Sequence, residues 1–157
     1  MFDAEIYDAF MLDHAAGTLP PALQLAGDLH QVMSPEGAQA AAVWASVRSA
    51  LAADADANPD SLLSSRLPEA LEIARSDFSD ITWKRGLSGA QYAKGKLRHE
   101  QFLRLFPGES TLGHGHSTLE ATVVLTGRFE DGHGVYAPGD IVFGVPGVSH
   151  KPAAYGD

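Results

Sequence analysis

The chain of 157 residues is 45% apolar and 20% charged, which suits one ordinary domain or two small ones with a real core. It has no cysteine, which excludes disulfides, iron–sulfur clusters, thiolate zinc sites and cysteine nucleophiles, so any metal must be held by histidine and carboxylate. The formal charge of −9 argues against a nucleic-acid partner, whose phosphates such a surface repels.

The opening MFDAEIYDAF carries acids where a signal peptide would carry bases, and no run of about 18 apolar residues follows anywhere. The expected location is the cytoplasm, with no membrane contact. Apolar residues at Phe2, Ile6, Phe10, Ala9 and Leu12 fit a first helix, and GTLPP at 17–21 breaks it and starts another. The second helix sets Leu19, Leu23, Ala26, Leu29 and Met33 on one side. Ser34-Pro35-Glu36 reads as an N-cap with proline at the first helical position. That third helix runs to about Ala53 and is expected to bury Ala41, Trp44, Val47 and Leu51. Residues 1–57 hold eight acids against Arg48, a net of −7, and form a helical module too small to bury itself alone. Its surface would suit a basic protein partner.

Residues 58–77 read as a linker with a short helix at 67–75, and the linker character begins at ADADANPDSLLSS, 53–65. From Phe78 onward the pattern changes to period two with Gly-rich turns, so 78–157 predicts short antiparallel strands in a sandwich or barrel. EDGHG at 130–134 is the expected hairpin loop between RF and VY. His99 and His133 are read as surface or packing residues, Glu109 and Glu130 as solvated strand-end charges, and Trp83 and Phe129 as core.

Residues 108–127, GESTLGHGHSTLEATVVLTG, concentrate the chemistry. On an extended strand His114, His116 and Glu120 share one face. Two imidazoles and a carboxylate are costly to bury unpaired, whereas a divalent ion compensates all their lone pairs. His150, after the apolar strand DIVFGVPGVS, is the candidate fourth ligand.

The spacing Gly108, five residues, His114, one, His116, three, Glu120, six, Gly127 resembles the first signature of the cupin superfamily. Gly139, Gly147 and His150 fit the second signature, with Pro146 one place late and Ala154 in place of the closing asparagine. The resemblance implies an α+β chain: the helical module followed by an all-β cupin (double-stranded β-helix or jelly-roll) barrel. It also implies a metal bound by His114, His116, Glu120 and His150. Such a barrel normally needs at least one more strand after that histidine, and His150 lies only seven residues from Asp157, so the resemblance implies a truncated cupin domain that lacks its last strand.

Taken with AAGTL at 15–19, the front half and the segment ITWKRGLSGAQYAKGKL make the whole chain similar to the ChrR family of zinc-dependent anti-sigma factors. The resemblance implies a cytoplasmic transcription regulator of the stress response. Its residues 1–57 would grip an extracytoplasmic-function sigma factor, and its cupin would sense the stress. Zinc is the implied ion; iron, manganese, nickel or copper suit the same donors. Pairing as a homodimer is expected of such barrels. A regulator is preferred to an enzyme; the alternatives are an iron- or manganese-dependent dioxygenase and a non-catalytic small-molecule binder. One departure bears on sigma binding. The family's front motif of His, three residues, Cys, two residues, Cys here keeps His30 but has Ser34 and Gly37, and an earlier family histidine falls near Glu5. The front module is therefore expected to fold without zinc.

Overall fold

The computed structural model describes residues 3–52 and 66–156; the linker expected at 53–65 lies outside them. Four helices come first: α1 (Ala4–Ala16), α2 (Pro21–Met33), α3 (Pro35–Ala52) and α4 (Leu67–Arg75). Local chemistry sets their limits. Asp3 caps α1 by accepting from the Glu5 and Ile6 amides at 3.0 and 3.2 Å. Proline stands at the start of α2, where its missing N–H costs nothing. Ser34 ends α2 and accepts from the Gly37 amide at 3.3 Å, as its expected N-cap role on α3 requires.

The strands are short: β1 (Lys84–Arg85), β2 (Gln91–Lys94), β3 (Gln101–Arg104), β4 (His114–Gly115), β5 (Glu120–Val123), β6 (Phe129–Glu130), β7 (Val135–Tyr136), β8 (Ile141–Gly144), β9 (Ser149–His150) and β10 (Ala153–Ala154). All named pairings are antiparallel, in the orders β1-β2-β3, β10-β6-β7, β4-β9 and β5-β8. This is the β-rich region expected of a cupin, but among the described residues the sheets are small and do not close on one another. The hairpin expected at 130–134 joins β6 to β7. A strand does follow His150: β10 pairs with β6.

The helices do not stand apart. Tyr7, Phe10 and Met11 of α1, Ala26 of α2, and Ile141 and Phe143 of β8 form one buried cluster, with the Phe10 and Phe143 rings 5.0 Å apart. Leu25 and Leu29 of α2 pack with Ala70 of α4 in a second cluster that reaches Val123 of β5. A core shared between helices and sheet explains how so small a helical module holds its shape.

Two helical expectations need correction. The buried stripe of α1 is Tyr7, Phe10, Met11 and His14, whereas Leu12 is 45% exposed. Burial of the two polar members is possible because each has a partner: Tyr7 bonds His30, and His14 Nε2 meets Asp28 Oδ1 at 2.7 Å. On α3 the apolar side chains packed against this core are Ala40, Ala41 and Trp44. Val47 and Leu51, expected inside, are 42% and 71% exposed because the shared core ends before the last turns of the helix.

No helix among the described residues is long and apolar enough to cross a membrane.

Candidate metal centre

The β4-β9 ladder places His114 directly opposite His150, and a bridge between His116 and Pro146 continues the approach of the two segments. His150 Nε2 lies 2.8 Å from His116 Nε2 and 3.2 Å from His114 Nε2. An ion about 2.0–2.1 Å from each imidazole nitrogen would set neighbouring nitrogens about 2.9–3.4 Å apart. The rings are therefore at coordinating separation. One proton on His150 Nε2 could serve only one of its two neighbours, whereas a cation serves all three lone pairs.

Glu120 arrives differently from the expectation of one extended strand. The chain bends after β4, and β5 delivers Glu120 opposite Gly144 of β8. Its Oε2 is 3.4 Å from His116 Nδ1. The four residues thus form a group able to hold a metal ion, their candidate ligand atoms all within 4.8 Å of one another.

The surroundings prepare the donors. The Leu112 carbonyl, 2.9 Å from His114 Nδ1, accepts a hydrogen bond from the N–H there, so that Nε2 is the ring atom turned to the group. Burial first, then the neighbouring His116 and His114 imidazoles, hold His150 below the usual histidine range, which favours its metal-binding neutral form. The His116 side chain is 8% exposed and that of Glu120 is 48% exposed, so the group faces solvent on the carboxylate side.

Sequence reasoning missed Gly144. A Cβ there would come within 2.5 Å of the His116 ring, so only glycine lets β8 pass behind the imidazole. A glycine closing an apolar strand was the available signal.

The other singled-out residues lie elsewhere. His99 and His133 are exposed, as expected. Glu109 is not a free strand-end charge: it pairs with Arg85 at 2.9 Å and accepts from the Phe106 amide. Phe129 packs partly buried against the Val124, Tyr136 and Val142 cluster, and Arg104 stacks 4.0 Å over the half-buried Trp83.

The front motif does not fit a metal. His30 Nδ1 is 2.7 Å from the Gly139 carbonyl and His30 Nε2 is 2.8 Å from the Tyr7 hydroxyl, so neither nitrogen is open. Ser34 Oγ is engaged by the Gly37 amide. A Cβ on Gly37 would overlap the His30 carbonyl, which leaves no room for a ligand side chain there. Glu5 is exposed, whereas His30 is buried.

Among curated proteins nothing matches the chain. One solved structure similar to it is the crystal structure of Rhodobacter sphaeroides SigE in complex with the anti-sigma ChrR. The likeness has 25% identity and a TM-score of 0.75, and covers 94% of this chain and 89% of that one. The family described as ChrR Cupin-like domain matches residues 74–157, more than half of the chain. By that match, and by the fold that carries it, the protein belongs to the ChrR cupin-like family.

Proposed function

We propose that the chain is an anti-sigma factor of the ChrR type. In this reading residues 1–57 bind an extracytoplasmic-function sigma factor in the cytoplasm. Residues 78–157, a jelly-roll barrel reached through 58–77, hold one zinc ion on His114, His116, Glu120 and His150. The observation that carries it is the likeness to the SigE–ChrR structure, which runs over 94% of the chain and so takes in the helices as well as the sheet. A binding surface on the helices supports it. Leu12, Ala16, Trp44, Val47 and Leu51 line a groove of about 130 Å³ between α1 and α3. Exposed apolar side chains in a row are what a partner's helix would cover.

The loss of the front zinc motif does not remove this surface, because the shared core and the His30 bonds hold the helices in its place. Capture by the full chain of extracytoplasmic-function sigma factors from the same organism tests the reading. Wild type should retain one of them, and the Val47→Asp/Leu51→Asp variant should lose it while keeping its thermal midpoint, since both positions are exposed. Retention of no such factor by wild type would refute it.

Zinc should leave on acidification. Imidazoles must be neutral to coordinate, so below about pH 6 affinity should fall about tenfold per unit for each ring that takes a proton. Because His150 is held below its ordinary value, it stays neutral to lower pH than a free imidazole and moves the loss to lower pH. Competition titration from pH 7.5 to 5 checks this; unchanged affinity at pH 5 contradicts histidine ligation. Pairing of two copies through their sheets completes the proposal.

A further inference from the structure

His30 is 1% exposed and makes two bonds of opposite sense. The Gly139 carbonyl can only accept, so His30 Nδ1 carries the proton and donates at 2.7 Å. Nε2 then has its lone pair outward and accepts from the Tyr7 hydroxyl at 2.8 Å. Burial pushes Tyr7 up to about 12, which keeps that hydroxyl protonated at every ordinary pH. Both ring nitrogens are engaged, which holds the imidazole in one orientation. It ties α1 and α2 to the turn between β7 and β8.

That turn is built for close contact. Gly139 has φ 90°, in the left-handed region, and a Cβ on it would come within 2.6 Å of the Met33 carbonyl at the end of α2. Its amide donates to the Val124 carbonyl at 2.9 Å, and the Val124 amide donates to Asp140 at 3.0 Å. β8 starts there and pairs residue by residue with β5, from Ile141 opposite Val123 to Gly144 opposite Glu120. So the strand latched to His30 at one end lies against the His116 ring at the other.

We propose that His30 is a latch that makes the helical module feel the state of the metal centre through β8. The proposal rests on the reading of His114, His116, Glu120 and His150 as the metal site. Filling or emptying that site shifts His116, and His116 bears on Gly144. The paired strand carries the shift to the Gly139 carbonyl, and the directional bond to His30 passes it to α2 and α1. The apolar contacts of Ile141 and Phe143 with α1 add cohesion, but they are non-directional and tolerate small sliding.

Amide hydrogen exchange of the full chain, with zinc and with chelator, tests the latch. In wild type, zinc should slow exchange about threefold or more in β5 and β8 and also in α1 and α2. In His30→Ala the strands should respond as before, while the helices should not. Tyr7→Phe removes the His30 bond at the α1 end and keeps the Gly139 bond, so α1 should lose its response and α2 keep it; this variant decides the matter should His30→Ala fail to fold. A second arm needs no metal. Gly144→Ala drives a methyl into the His116 ring and should alter helix exchange in the His30 background but not with His30→Ala. If zinc changes nothing in β4, β5 or β8, the metal reading fails, and the Gly144→Ala arm still judges the latch. Helices that respond equally with and without His30, or strands that respond in wild type while the helices stay unchanged, would overturn it.

Discussion

Truncating Phe143 to alanine should cost about 3–5 kcal/mol of unfolding free energy, a large share of the 5–15 kcal/mol typical of a domain. Phe143 is 2% exposed and sits in a cluster that contains residues from α1, α2 and β8. Its ring meets Phe10 at 5.0 Å, so the variant opens a cavity where the helices dock, not at the margin of the sheet. The loss should appear in urea unfolding as a lower midpoint, with helical circular dichroism and Trp44 and Trp83 fluorescence still falling together. Separate transitions for helix and fluorescence signals in wild type would mean that the shared cluster does not couple the two parts.

His116→Ala should lower zinc affinity by more than about 100-fold, beyond the 10–100-fold that loss of an outer-shell partner costs. His116 is the central member of the group: it is 2.8 Å from His150, 3.4 Å from Glu120 and backed by Gly144. Glu120→Gln should cost less, about tenfold. Its carboxylate is half exposed and stands beside Nδ1 of His116, not among the three converging Nε2 atoms. Competition titration against a chromophoric chelator separates the two. Equal losses for both variants would show that the carboxylate is as central as the imidazoles.

The order of elements was readable because helix caps, prolines and Gly-rich turns are local signals. Ser34-Pro35 marks the start of α3, and the hairpin at 130–134 lies between β6 and β7 as its turn residues require. The metal candidates were readable for a related reason: histidines and a glutamate at fixed offsets carry their own chemistry. What stayed hidden was long-range. Alternation along one extended strand suggested how His114, His116 and Glu120 meet, but a bend after β4 and the pairing of β5 with β8 deliver Glu120 instead.

The helical faces were misread for a similar reason. Tyr7 and His14 fall outside the apolar stripe of α1, yet are buried because His30 and Asp28 satisfy them, and an apolar stripe on α3 looks like core until it outruns its cover at Val47. Gly139, 109 residues from His30, offers no local hint that its carbonyl is half of a latch. The lost front motif was legible as an absence of cysteine. That Tyr7 and Gly139 occupy both nitrogens of the histidine left behind was not.

The proposed centre stands or falls on whether the chain carries an ion, and metal content is therefore the most direct test. Elemental analysis of the full chain purified from its own host should find about one zinc per chain, lost in the His114→Ala/His150→Ala variant with the helical circular dichroism unchanged. No transition metal in the wild-type protein, or the same stoichiometry in the double variant, would contradict a metal centre at His114, His116, Glu120 and His150.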